Sequence, residues 1–197
     1  MRPLFIVIMT SLLLFACPGE KDKKTEPVNE EKSIFEELKE QTVKNPKNAD
    51  AWYYLADLYE RSEMYREEVD ALRHVIALKP EKGYAYMKLG TAYSRLGEYQ
   101  DAIKQFTLAK KYLPKDPVLH NNLAVAYGKI GKSDEEIREL ETAISIRPRY
   151  ATARYNLGMA FLKKGKRELA LHQYDEIKKF DEGIADALKK EINAKRM

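Results

Sequence analysis

A period of 34 residues runs through most of this sequence. Four prolines follow it without interruption: Pro46, Pro80, Pro114 and Pro148. A proline lacks a backbone N–H and pushes the residue before it away from helical geometry, so each of these residues predicts the end of a helix. Helices that end at the same point in every period indicate one structural unit that is used several times.

Residues 83–116 show what one unit contains. The first half has apolar or small residues at the i, i+3, i+4 and i+7 spacing of one helical stripe: Tyr86, Leu89, Gly90 and Tyr93. Gly97 then interrupts the spacing, and glycine adopts the left-handed backbone of a helix-to-helix turn at little cost. A second stripe follows, formed by Tyr99, Ala102, Ile103, Phe106 and Ala109. Each unit is therefore predicted to be a helical hairpin.

The same plan returns in the neighbouring periods, which gives four predicted repeats at residues 49–82, 83–116, 117–150 and 151–184. A small residue recurs where the two helices of a hairpin would cross most closely: Ala56, Gly90, Ala124 and Gly158. The pattern resembles the tetratricopeptide repeat (TPR) family from Ser33 to the C-terminus. This resemblance implies an all-α fold, a right-handed α-solenoid of TPR helical hairpins.

Two further helices are predicted at the ends of the array, because an end repeat would otherwise leave an apolar face in water. Residues 33–48 form a predicted half-repeat with Ser33 as its N-cap, and residues 185–197 a C-terminal capping helix. Two residues depart from the repeat: Glu68 and Glu136 stand where the second helix has a small residue. We expect looser hairpins in the first and third repeats.

Composition excludes several classes of function. The chain has 197 residues with 35 basic and 31 acidic side chains, so it lacks the concentrated positive charge that nucleic acid binding needs. Its single cysteine permits no internal disulfide and no cysteine-based metal site. No catalytic motif is present, and His120 takes an inward aromatic position while His74 and His172 face outward. The sequence predicts no enzyme activity, no cofactor, no metal and no small-molecule substrate.

The N-terminus is predicted to direct the chain to the bacterial envelope. Residues 1–16 have one positive charge ahead of an apolar stretch, as a signal peptide does, and this stretch is too short for a comfortable membrane span. Residues 14–17, Leu-Phe-Ala-Cys, resemble a bacterial lipobox, which implies that Cys17 is lipidated and becomes the mature N-terminus. The alternatives are an ordinary signal peptide or an uncleaved anchor with an incidental cysteine.

Residues 17–32 are predicted to be a disordered tether. They are rich in charge and almost free of apolar side chains, so they cannot bury enough surface to fold. A lipidated Cys17 would therefore hold the repeats close to a membrane, facing the periplasm. In proteobacterial lipoproteins an aspartate after the cysteine favours the inner membrane. Pro18 stands there in this chain, which slightly favours the outer membrane.

One surface is predicted to bind a partner, and we call it the groove face. It lies opposite the core stripe on the first helix of each repeat, and in TPR proteins this side lines a concave groove. It combines aromatic, amide and methionine side chains with cations, whereas a helix face without a task would be mostly Lys and Glu. Its residues are Tyr53, Tyr54, Asp57, Tyr84, Met87, Lys88, Thr91, Arg95, Asn121, Asn122, Val125, Lys129, Tyr155, Asn156, Met159 and Lys163.

The groove face suggests the kind of partner. TPR grooves commonly grip a bound backbone with asparagines at the places of Asn122 and Asn156, neither of which is expected to pack in the core. Tyr53 and Asp57 stand where chaperone-tail clamps need a lysine and an asparagine, so that subtype is excluded. We predict an adaptor that binds a peptide segment of another envelope protein, for outer-membrane or pilus assembly. The alternatives are a self-associating spacer or an accessory subunit of an envelope maturation enzyme.

Overall fold

The structure is a computed structural model, and it describes residues 27–194, which form ten α-helices and no strand. The helices are α1 (Pro27–Lys44), α2 (Ala49–Arg61), α3 (Tyr65–Leu78), α4 (Gly83–Arg95), α5 (Tyr99–Tyr112), α6 (Pro117–Lys129), α7 (Ser133–Ile146), α8 (Ala151–Lys163), α9 (Arg167–Lys178) and α10 (Glu182–Ala194).

Helices α2 to α9 pair into four hairpins that stack in chain order. The hairpins start at residues 49, 83, 117 and 151, the starts of the predicted repeats. Within a hairpin the two helices pack on each other, and the second helix also packs on the first helix of the next hairpin. The same inward position is buried in all four, by Leu55, Leu89, Leu123 and Leu157. The predicted all-α solenoid of four stacked helical hairpins is confirmed.

The turn inside each hairpin depends on one residue with left-handed backbone. In three hairpins this residue is Gly97, Gly131 or Gly165, with φ of 79°, 77° and 71°. In the first hairpin it is Glu63, with φ of 57°, where a side chain costs energy that glycine avoids. The 34-residue period therefore fixes the turn geometry even where the sequence has no glycine.

Glycine is needed at two of the close crossings. A Cβ built on Gly90 would lie 2.6 Å from the ring of Phe106, which is completely buried. A Cβ on Gly158 would lie 2.7 Å from Leu188 of α10. The first and third hairpins have Ala56 and Ala124 at this place, opposite the smaller Leu72 and Leu140 by position in the repeat. In the second hairpin the glycine thus accommodates the larger Phe106, whereas in the fourth it leaves room for Leu188 of the helix that follows.

Glu68 and Glu136 do not loosen their hairpins, so that expectation is wrong. Both side chains are nearly completely buried, with 1% and 5% of their surface exposed. The first and third hairpins pack as closely as the fourth. In the third hairpin the reason is Gly128, because a Cβ there would lie 2.5 Å from the Glu136 carboxyl group. Because Gly128 has no side chain, α6 leaves room for the larger side chain of Glu136 on α7.

The ends of the array differ from the predicted boundaries. Helix α1 starts at Pro27, so Ser33 lies within the helix and not at its N-cap, and the predicted tether is wrong for residues 27–32. A proline fits the first turn of a helix, where its missing N–H would have no partner. Helix α10 starts at Glu182, before the predicted cap at residue 185, and it buries Leu188 and Ile192 on the fourth hairpin.

Candidate functional site

The groove-face residues lie on α2, α4, α6 and α8, the first helix of each hairpin. Successive first helices contact one another, α4 with α6 and α6 with α8, so their side chains form one continuous surface. Three apolar side chains are well exposed on it: Tyr54, Tyr84 and Val125. Tyr53 and Tyr155 are half-buried. The surface is thus partly apolar and open to a partner.

The N-terminal end of the groove face contains a closed cluster of charges. The Lys88 ammonium lies 2.7 Å from Asp57 Oδ1 and 2.5 Å from Glu60 Oε2. Burial alone would lower the pKa of Lys88, but the hydrogen bonds to Asp57 and Glu60 raise it above its usual range. Another lysine, Lys82, lies 3.7 Å above the ring of Tyr53. Asp57 and Lys88 therefore neutralise each other and are not free charges of the groove.

The asparagines form a chain of hydrogen bonds across two repeats. Asn156 Nδ2 donates to Asn121 Oδ1 at 2.9 Å, and Asn121 Nδ2 donates to Asn122 Oδ1 at 3.4 Å. Asn121 is buried, so it is a support for its neighbours and not an open groove residue. Asn156 is therefore part of the packing between α6 and α8, contrary to our expectation. Asn122 is half-buried, and its Nδ2 makes no hydrogen bond to any residue that the structure describes.

The C-terminal end of the groove face has a second internal ion pair. Lys163 Nζ donates to Glu136 Oε1 at 3.2 Å, and Glu136 reaches this position through the space beside Gly128. The other carboxylate oxygen, Oε2, is buried without a hydrogen bond to the part of the chain that the structure describes. Lys163 is thus engaged by its own chain.

A small cavity of about 270 Å³ opens on the groove face between α4 and α6. We call it the α4–α6 cavity, and its lining includes Thr91, Ser94, Arg95, Asn122, Val125 and Lys129. Arg95 and Lys129 are exposed, and neither forms an ion pair within residues 33–194. The Ser94 Oγ is buried and makes no hydrogen bond there either.

Two residues of this surface were missed by the sequence prediction. Glu60 and Ser94 both occupy the twelfth position of their first helix, in the first and second repeats. At 100° per residue this position lies on the same side as the ninth and thirteenth, so helical geometry could have included it. The spacing alone did not show that Glu60 would engage Lys88 or that the Ser94 hydroxyl would lack a partner.

A larger cavity of about 710 Å³ lies away from the groove face, lined by residues of α7, α8 and α9. Several of its polar side chains already have partners, although Glu141 and Lys166 form no ion pair within residues 33–194. Arg154 donates to Pro148 O at 2.8 Å and to Gln173 Oε1 at 3.1 Å, and Lys164 pairs with Asp134. It offers a partner fewer free polar groups than the α4–α6 cavity.

The histidines take part in the fold. His120 is buried, with Nδ1 2.6 Å from Glu139 Oε2 and Nε2 3.0 Å from Pro114 O. The hydrogen bond to Glu139 raises the pKa of His120 above its usual value. His74 is exposed and stacks on Trp52, with ring centroids 4.1 Å apart. Residues 27–194 contain no cluster of three His, Cys, Asp or Glu side chains arranged to hold a metal ion.

The predicted signal peptide and the lipidation site at Cys17 lie outside the described residues. Within residues 27–194, no helix combines the length and the apolar character needed to cross a membrane.

The repeat is identified by comparison with protein families. One tetratricopeptide repeat model matches residues 87–151 and 121–185, and a second matches residues 49–82. The chain therefore belongs to the tetratricopeptide repeat family, whose hairpins serve as scaffolds for protein–protein interaction. No curated protein sequence matches the chain significantly.

Solved structures share this fold. MamA superimposes with a TM-score of 0.76 at 23% identity, over 81% of this chain and 93% of that one. YrrB, described as a TPR protein with an unusual peptide-binding site, gives 0.73 at 24% identity over 83% and 85%. PilW, described as a widely conserved type IV pilus biogenesis factor, gives 0.67 at 17% identity over 77% and 70%. At these identities the likeness concerns the fold alone.

Proposed function

We propose that this protein is a non-enzymatic adaptor that holds an extended or helical segment of another protein against its groove face. The observation that carries this proposal is a run of exposed apolar side chains, Tyr54, Tyr84 and Val125, beside polar groups without partners in residues 33–194. Exposed tyrosines supply contact area, and neighbouring amides and cations supply orientation. Such a mixture on one continuous surface is typical of a binding site.

The free amide of Asn122 suits a bound peptide. An amide has two donors and one acceptor, so it pairs with backbone groups whatever the partner's sequence. Asn122 accepts from Asn121, which leaves its Nδ2 to donate to a carbonyl of the partner. Asn156 cannot play the same part without giving up its bond to Asn121. The grip on the partner backbone is thus assigned to Asn122.

We further propose that the adaptor works in the bacterial envelope, tethered to a membrane by lipid at Cys17 and facing the periplasm. The support is the sequence of residues 14–17 at the end of the apolar stretch. An acyl anchor would concentrate the repeats at the surface where envelope proteins are assembled. YrrB is described as having a peptide-binding site and PilW as a type IV pilus biogenesis factor, and these similar folds favour a role in outer-membrane or pilus assembly here.

Two other functions compete with this one. A self-associating spacer would use its repeats to contact copies of itself, and an accessory subunit would attach to an envelope maturation enzyme. The spacer predicts a concentration-dependent oligomer in solution, whereas the adaptor predicts a monomer when no partner is present. Sedimentation of the purified protein over a wide concentration range separates these two functions.

The groove face is tested with a double variant that combines Tyr84→Ala and Asn122→Ala. Capture of partners from envelope extract by the purified protein is compared with capture by the double variant. We expect affinity for the partner to fall by about 1–3 kcal/mol while helicity is retained, because neither side chain is fully buried. Tyr112→Ala is the matched control, since it removes an exposed tyrosine from the second helix of the same hairpin. Equal recovery by the double variant would show that partners bind elsewhere.

The anchor is tested independently with Cys17→Ala. Wild-type protein is expected to partition with membranes and to incorporate a fatty-acid analogue, and the variant is expected to do neither. Labelling that persists in the variant would overturn the lipoprotein assignment and leave the adaptor proposal standing.

A further inference from the structure

The lysines and arginines of the groove face are not equivalent. Lys88 is neutralised by Asp57 and Glu60, and Lys163 is paired with Glu136. Arg95 and Lys129 are exposed and form no ion pair within residues 33–194. Two cations that are available to a partner therefore lie together at the α4–α6 cavity, which both residues line. Arg61, at the equivalent position of α2, is also exposed and forms no ion pair within residues 33–194.

The size of the α4–α6 cavity limits what it can hold. Sites for drug-sized ligands measure about 300–1,000 Å³. At about 270 Å³ the cavity is below this range, and it suits one or two side chains of a larger ligand. Phe106 and Val125 supply apolar lining that can contact the methylene groups of such a side chain.

The polar lining of the cavity consists mainly of donors. The guanidinium of Arg95 and the ammonium of Lys129 can only donate. Asn122 adds a free N–H, and Ser94 adds a hydroxyl without a partner in the described part of the chain. The buried Glu68 carboxyl group acts on Arg95 only at longer range, because no ion pair joins them. The group that satisfies such a lining is an anion with several acceptor lone pairs.

We propose that the α4–α6 cavity binds the side-chain carboxylate of an aspartate or glutamate in the segment held by the groove face. This inference rests on the proposed adaptor function and adds a sequence requirement to it. The anion is a side chain and not a chain terminus, because the groove face continues on α2 and on α8 to either side of the cavity. A segment that contacts both sides passes over the cavity with its backbone uninterrupted.

The test uses a library of random twelve-residue peptides with blocked ends, so that any carboxylate comes from a side chain. The purified protein selects peptides, and its affinity for the selected ones is measured by fluorescence anisotropy. We expect an Asp or Glu at one fixed place among them. Arg95→Gln with Lys129→Gln should weaken binding roughly 10- to 100-fold, as the loss of hydrogen bonds to a charged group does. Replacing the acid of the peptide by its amide should then have no further effect.

The matched control is Arg66→Gln with Lys111→Gln. Both residues are exposed, on α3 and α5, and form no ion pair within residues 33–194. The two substitutions therefore remove the same amount of positive charge as the cavity variant does. Affinity is expected to stay within about twofold of wild type, because exposed charges at a distance are screened by salt. A loss as large as that of the cavity variant would overturn the proposal in favour of a general electrostatic effect.

The remaining outcomes separate this inference from the adaptor function. The first of these outcomes is that the selected peptides share no acid at a fixed place and bind the cavity variant as tightly as wild type. If these peptides also lose affinity for the variant with Tyr84→Ala and Asn122→Ala, the carboxylate site alone is overturned. The second outcome is that neither the cavity substitutions nor Tyr84→Ala with Asn122→Ala change the affinity for the peptides, or that no peptide is selected at all. Either result would overturn the carboxylate site and the groove face together.

Discussion

The ionisation of Glu68 should have a large effect on the stability of the array near neutral pH. Its side chain is almost completely buried in the first hairpin. Burial raises the pKa of Glu68 from 4.5 to about 7, and the negative charge of Glu60 adds to the rise. The substitution Glu68→Gln keeps the shape of the side chain and removes its ability to ionise.

The sign of the pH dependence follows from the two pKa values. Below pH 4.5 the carboxyl group is protonated in the folded and the unfolded chain, so its ionisation has no effect on stability. As pH rises to about 7, the unfolded chain loses the proton first, and the free energy of unfolding decreases. The difference between the two values corresponds to about 3 kcal/mol. Glu68→Gln avoids this loss.

The assay is urea denaturation followed by circular dichroism between pH 4.5 and 8.5. We expect the stability of Glu68→Gln relative to wild type to increase by about 3 kcal/mol from the acidic to the alkaline end. Glu67→Gln, at the exposed neighbouring position, is the control and should change stability by less than about 0.5 kcal/mol. A difference between Glu68→Gln and wild type that stays constant with pH would refute the reasoning, because Glu68 would then ionise as an exposed carboxyl group does.

Three further substitutions test the packing by thermal or urea unfolding. Gly90→Ala should destabilise the protein by about 1–3 kcal/mol, because the new methyl group would meet the buried Phe106 ring, and a melting temperature equal to wild type would contradict this. Leu188→Ala should cost about 2–5 kcal/mol by opening a cavity under α10, and a loss below 1 kcal/mol would mean that α10 does not stay docked on the fourth hairpin. Glu63→Gly should stabilise the first hairpin by about 1 kcal/mol, because glycine adopts the left-handed backbone of this turn without the steric cost of a side chain. A destabilising effect would show that Glu63 is not strained in this conformation.

The 34-residue period was sufficient to predict the hairpins and their order, because helix ends and core stripes are local properties of the sequence. It also placed the groove face on the first helix of each repeat, since the direction of a side chain on a helix follows from its position. The start of α1 was the least predictable boundary, because residues 27–32 are polar and contain no apolar stripe. Residues 27–32 are helical as a continuation of the later part of α1, where Phe35 and Leu38 pack against the core.

The period could not show which polar groups of the groove face are free. Arg95, Lys129 and Lys163 occupy the same position in their repeats, yet of these three only Lys163 pairs with a carboxylate among residues 33–194. That carboxylate, Glu136, extends towards Lys163 because Gly128 leaves room for it. Whether a cation is neutralised thus depends on side-chain length and on the space between neighbouring helices, which only tertiary packing sets. The sequence places these charges on one surface, and the packing decides which of them can meet a partner.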